Sequence, residues 1–220
     1  MKKPPLTLGP TLAEGEKPVE VIESQTMYEN FVRTERYVLR TRRFDGSWTE
    51  PYERHVMSTG ATGHAVAVLL YEPERDVVML VEQFRIINYV NKAPSAWNLE
   101  IVAGLIDQGE TADNTARREV EEETGQMPLA LEHISSYTSS PGVFTETLQI
   151  YIARISTTDG QTVHGLETEQ ENIRTHVMSV DDALKLADEG YITDGKTLFA
   201  LNWFARKHSA LRHRWLSQQA

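Results

Sequence analysis

Three glutamates, Glu119, Glu122 and Glu123, stand at i, i+3 and i+4 near the end of the stretch GLIDQGETADNTARREVEEETG (Gly104–Gly125). On an α-helix that spacing puts all three on one face. Like charges placed this way repel, by about 0.2–0.5 kcal/mol per exposed pair. Glu122 and Glu123 also fall in the last turn before Gly125, where a carboxylate opposes the helix dipole. Local stability therefore does not select the pattern. Helix arithmetic alone leaves two readings: a solvated charged face, or a site for a hard divalent cation. Mg²⁺, or Mn²⁺, would take oxygen ligands there and keep water and phosphate oxygens in its shell. The residue order of an EF-hand loop, an HExxH pair, a Walker A loop and a GxGxxG turn are all missing.

The elements that must position these carboxylates can be read around them. Thr111 is the expected N-cap of the acidic helix, Asp113 suits its first turn, and Gly125 is its expected stop. Ahead of it, HAVAVLLYE (His64–Glu72) and DVVMLVEQF (Asp76–Phe84) read as buried strands, with a turn between. NYVNKAPSA reads as a polar loop and WNLEIVAG as one short strand ending at Gly104. LEHISSYTS, TLQIYIARI and IRTHVMS read as further strands. The polar stretch STTDGQTVHGLETEQEN is long enough to suggest function or disorder. SVDDALKLADEG and GKTLFALNWFARKHSALRHRWL are amphipathic helices, the first capped by Ser179 or Asp181 and stopped at Gly190. Near the N-terminus, Asp45-Gly46 is a hairpin signal between two strand-like runs, which predicts a small antiparallel sheet. Strands and helices mix without βαβ regularity, so the expected class is α+β, with a mixed sheet sandwiched between helices. The expected divisions are an arm (1–18), an N-terminal sheet region (19–58), the main domain (59–209) and a C-terminal tail (210–220).

Composition bounds the partners. With 220 residues the chain can bury a real core. A formal charge of −10 argues against nucleic acid, which needs a basic surface. No apolar run is long enough to span a bilayer, and no apolar segment follows Lys2 and Lys3 as a signal peptide requires. The absence of cysteine excludes disulfides and thiolate chemistry and is compatible with the cytoplasm, which is the expected location.

The whole stretch narrows the two readings. Gly104, five residues, Glu110, seven residues, Arg118-Glu119-Val120, one residue, Glu122-Glu123, one residue and Gly125 resemble the signature box of the Nudix hydrolases. The departure is Gln126, where that family usually has an aliphatic residue. The resemblance implies the Nudix fold, with Glu119, Glu122 and Glu123 as Mg²⁺ ligands, joined by the carbonyl of Ala103. It implies that Arg118 orients the carboxylates and Glu110 braces the loop. Glu121, roughly 200° around the helix from Glu119, is read as solvated.

Four further segments resemble the ADP-ribose pyrophosphatase branch of that family. Pro141 in SSPGVFTE stands where the branch has a proline, although Pro-Gly is also a common turn. VEQFRIINY is similar to a segment whose arginine approaches the substrate phosphates, here Arg85; a surface ion pair is the alternative. Arg54 in YERHVM falls near an arginine that reaches the partner subunit's substrate. HGLETEQENIR resembles the branch's catalytic loop, which implies Glu169 as general base and Glu171 as a metal or water contact. The resemblance also implies a homodimer built through the N-terminal sheet, and a nucleoside diphosphate sugar as substrate. Tyr28 or Phe31 would either stack on a base or lie in the core. ITDGKTLFALNWF resembles a GDP-mannose-hydrolysing branch equally well, which makes GDP-mannose the second substrate reading. A non-catalytic sensor is the third, although such proteins usually lack box glutamates that are all present here.

Overall fold

The computed structural model describes residues 8–157 and 161–218. They fall into two compact units: Met1–Gly63 with Thr138–Glu146, and His64–Tyr137 with Thr147–Ala220. The first unit ends at Gly63 and includes the segment that holds Pro141. Part of the expected arm, residues 1–7, lies outside the described residues.

The first unit is an antiparallel sheet in the order β1-β2-β3, with β1 Val19–Glu29, β2 Val32–Thr41 and β3 Tyr52–Thr59. Asp45 and Gly46 do form a turn, closed by Arg43 N–H donating to the Ser47 carbonyl at 2.7 Å, inside the β2–β3 connection. The sequence reading missed a second turn, at Asn30 and Phe31, where Phe31 N–H donates to Asn30 Oδ1 at 2.8 Å. It lets the chain double back, so residues 19–29 form a strand of their own. Every residue of β1 is exposed. Tyr28 and Phe31 are exposed too, so neither belongs to the core. Pro141-Gly142 is a turn, with Phe144 N–H donating to the Ser140 carbonyl at 2.8 Å, and Met57 pairs with Phe144.

The second unit is a mixed sheet with helices on both faces, as expected. Its strands are β4 His64–Glu72, β5 Val77–Phe84, β6 Trp97–Glu100, β7 Val102–Leu105, β8 Ala130–Thr138, β9 Thr147–Arg154, β10 Val163–His164 and β11 Ile173–Ser179. They run β10-β11-β5-β4-β9-β8, with β4 and β9 parallel. Near-continuous apolar runs make β4 and β5 fit for burial on both faces. Ala65, Ala67, Leu69 and Tyr71 pack with Phe204, Leu211 and Trp215, while Val66, Val68 and Leu70 pack with Ala116 and Val120. The helices are α1 Ile86–Val90, α2 Ala112–Thr124, α3 Val180–Asp188 and α4 Gly195–Ser217.

Three expectations need correction. The loop NYVNKAPSA begins inside α1, a short helix with no side-chain cap and no buried residue, so neither cap nor apolar stripe announced it. WNLEIVAG is two strands rather than one. β4 and β5 pair only at Leu70–Glu72 with Val77–Met79, and beyond that β6 pairs with β5 while β7 pairs with β4. The chain crosses between them at Ile101. Finally, the expected tail (210–220) overlaps the helix expected through Leu216, and the helix prevails. Residues 210–217 complete α4, and Leu211 and Trp215 are 3% and 1% exposed. Among the described residues no helix is long and apolar enough to cross a membrane.

Candidate active site

Helix α2 starts and stops where the sequence says. Thr111 accepts from the Asn114 N–H, and Gly125 takes the left-handed conformation at φ 66°. Its buried stripe runs through Ala116 and Val120 and then reaches Glu123, which is 1% exposed. A carboxylate thus occupies the position where the helical period asks for an apolar residue. Glu121 is exposed, as expected.

Arg118 gathers the carboxylates. Its Nη1 donates to Glu119 Oε1 at 2.7 Å and to Glu122 Oε2 at 2.9 Å. Its Nη2 donates to Glu110 Oε2 at 3.1 Å and to the Leu105 carbonyl at 3.3 Å, so Glu110 braces the loop before the helix. Gly104 has a steric role: a Cβ there would lie 1.9 Å from the Glu119 carboxylate. Only glycine leaves β7 open to that side chain.

Burial pushes the Glu119 carboxyl up to about 7; Arg118 opposes the rise, and Glu122 and Glu171 add to it. Burial holds Glu123 well above the usual carboxylate range, with Glu119 and Glu171 adding and Arg85 opposing. The Ala103 N–H donates to the Glu123 carboxylate, but Glu123 Oε2 is buried with no hydrogen-bond partner. An orphaned, hard oxygen next to other carboxylates fits a divalent cation. Among the described residues, no three carboxylate or imidazole groups already converge closely enough to hold an ion outright. The Arg118 guanidinium occupies the face between Glu119 and Glu122 that a cation would share.

The loop 161–172 is ordered by β10 and a 3₁₀ turn at Glu167–Glu169; residues 158–160, in the same polar stretch, lie outside the described residues. The loop is tied to α2 through Gly165, whose N–H donates to the Glu122 carbonyl at 3.2 Å. Gly165 has φ +104°, and a Cβ there would come within 2.7 Å of Glu171 Cβ. Glu171 is half-buried and acts electrostatically on Glu119 and Glu123. Glu169 is exposed on the 3₁₀ turn. Arg85 acts on Glu123 from the end of β5, and its Nε and Nη2 grip Glu100 at 2.9 and 2.7 Å. Arg54 lies in the first unit, on β3, over the Tyr52 ring at 4.4 Å. The second unit thus brings together Ala103, Arg118, Glu119, Glu122, Glu123, Glu171 and Arg85. Gly165 and Glu100 were missed. Glu100 ends the short strand Trp97–Glu100, where nothing in the local pattern marks it.

A family model described as NUDIX domain matches residues 61–201. The chain is 35% identical over 201 residues to the ADP-ribose pyrophosphatase of Escherichia coli (strain K12), covering 91% of this chain and 94% of that protein. It is 32% identical to the ADP-ribose pyrophosphatase of Haemophilus influenzae, covering 90% of each. It is 33% identical to the GDP-mannose pyrophosphatase of Cronobacter sakazakii, covering 83% of this chain and 93% of that protein. A crystal structure titled as an ADP compounds hydrolase superposes with a TM-score of 0.62 at 17% identity, over 94% of this chain and 99% of that one. That last likeness bears on the fold alone.

Proposed function

The chain belongs to the NUDIX domain family, and from that premise we propose that it hydrolyses the diphosphate linkage of ADP-ribose to AMP and ribose 5-phosphate. The observation that carries the chemistry is the buried, unpartnered Oε2 of Glu123 beside Glu119 and Glu171. The names of the relatives at 32–35% identity support the substrate.

Glu119, Glu122, Glu123 and Glu171 would hold Mg²⁺, or Mn²⁺, with the Ala103 carbonyl beside them. When bound, the cation neutralises phosphate oxygens and acidifies the attacking water. Arg118 keeps Glu119 and Glu122 on one side of α2, and Arg85 presents a guanidinium edge to the diphosphate. Glu169 receives the proton of the water as its oxygen bonds to phosphorus and the bridging P–O bond breaks. Its place on a loop rather than a core strand lets it approach once substrate is bound. Arg54, and a homodimer formed through the exposed strand β1, complete the reading.

GDP-mannose is the second substrate, supported by the 33% identical relative. Incubation with ADP-ribose, GDP-mannose and other nucleoside diphosphate sugars, with and without Mg²⁺, decides between them through the products. AMP with ribose 5-phosphate, formed only with the cation, is expected. GMP with mannose 1-phosphate as the faster product would transfer the assignment to the second substrate.

A further inference from the structure

The segment Asp194–Thr197 and the buried Glu100 have no part in the chemistry above, yet they form one network that ends on Arg85. Glu100 is 1% exposed. It accepts both Arg85 bonds and also Lys196 Nζ, at 2.6 Å. Lys196 Nζ lies 3.0 Å from Asp194 Oδ1. Asp194 is the N-cap of α4 and accepts from the Thr197 N–H at 3.0 Å. Thr197 Oγ1 in turn accepts from the Ile101 N–H at 2.9 Å, at the crossing between β6 and β7. The first turn of α4 is thereby plugged into the fork of the sheet, next to the strand that carries Ala103 and Gly104.

We propose that Glu100 and Lys196 are positioning residues for Arg85, fixing which edge of its guanidinium meets the diphosphate. This rests on the reading of Arg85 as a substrate contact. A guanidinium is a rigid planar fork, so two bonds from Nε and Nη2 to one carboxylate fix its plane and its rotation. The Nη1 edge is then the one left for another acceptor. Arg85 alone on Glu100 would leave one cation against one buried anion, and a substrate anion would have to compete with Glu100 for it. Lys196, itself shared with Asp194, holds Glu100 Oε2 from the other side, so the carboxylate that grips Arg85 is fixed in place and the Nη1 edge keeps its direction. The same carboxylate, held by two cations, stays ionised: its pKa falls to about 2 against the cost of burial. Glu100 itself does not touch substrate in this scheme.

The test is a double-mutant cycle in steady-state kinetics with ADP-ribose and Mg²⁺, with the thermal midpoint recorded for every protein. The proteins are wild type, Arg85→Ala, Glu100→Gln and the double variant. Glu100→Gln is expected to raise KM roughly 10- to 100-fold, with kcat changed less, and to add nothing in the Arg85→Ala background. Lys196→Met should give a smaller rise that also vanishes in that background. Equal KM effects of Glu100→Gln with and without Arg85 would overturn the inference, as would a lowered thermal midpoint with KM unchanged. If Glu100→Gln does not fold, Glu100→Asp replaces it in the same cycle with the same criteria. If Arg85→Ala by itself leaves KM and kcat unchanged, the assignment of Arg85 to the substrate fails, and this inference with it.

Discussion

Glu100 and Glu123 are the same residue type, each 1% exposed, in one unit, and the protein treats them in opposite ways. Glu100 receives Arg85 and Lys196 and is held at a pKa of about 2. Glu123 receives one backbone N–H, keeps an orphaned oxygen and is held well above the usual carboxylate range by burial. Burial costs both carboxylates their water. At Glu100 the chain supplies the compensating cations itself. At Glu123 it supplies almost none, which is the arrangement expected where the missing charge comes from outside. A buried glutamate is therefore uninformative until its partners are counted.

Exchanging each for glutamine should separate the two. Glu123→Gln should lower turnover about 10³-fold or more, because several kcal/mol of charge stabilisation at phosphorus go with the cation. Its metal-free thermal midpoint should hold or rise, since an unsatisfied buried acid is removed; a large fall would mean that Glu123 is a structural partner after all. Glu100→Gln should do the reverse to stability. It takes the buried anion from Arg85 and leaves Lys196 only Asp194, and should cost up to about 3 kcal/mol in denaturant unfolding.

The comparison also has a ligand side. Mg²⁺ at about 100 times its Kd should stabilise the wild type by about 2.7 kcal/mol, if it binds only the folded state. Glu123→Gln should lose that stabilisation and Glu100→Gln should keep it.

The pH dependence differs in sign. Glu119 and Glu123 have folded-state pKa values above their ordinary 4.5. The folded metal-free protein therefore holds protons that the unfolded chain has released, and stability should fall as pH rises from 4.5 through 7. Glu100 is depressed to about 2, so its contribution is fully present above 4.5 and is lost as pH falls toward 2. Urea unfolding of the metal-free protein at pH 4.5 and pH 7 measures the first effect; a higher stability at pH 7, with Glu119→Gln leaving the slope unchanged, would contradict it. The smallest effect expected is at Glu121. It is exposed on the same helix, and Glu121→Gln should move stability by no more than about 0.5 kcal/mol and leave turnover unchanged.

These two glutamates also mark what the sequence can and cannot disclose. The setting of Glu123 was legible because its companions lie within two turns of one helix: Thr111 and Gly125 fix the ends, and the i, i+3, i+4 spacing fixes the face. Gly104 was legible as a motif position, but its reason, room for the Glu119 carboxylate, needed coordinates. Glu100 was not legible, because one of its cations is separated from it by most of the second unit's sequence and reaches it only when α4 docks on the sheet. The strand β1 was hidden inside a longer charged region because it is exposed throughout and lacks a buried face to reveal its period. The end of α4 is legible as helix in the run Gly195–Leu216, and Leu211 and Trp215 fall on its buried stripe.

Calorimetric titration of the metal-free protein with Mn²⁺ near pH 6.5, in two buffers of different ionisation enthalpy, tests the central claim most directly. Binding with release of protons from the site in the wild type, and loss of both binding and proton release in Glu123→Gln, is the predicted result. Binding of equal strength in the two proteins, or no binding to the wild type, would contradict it.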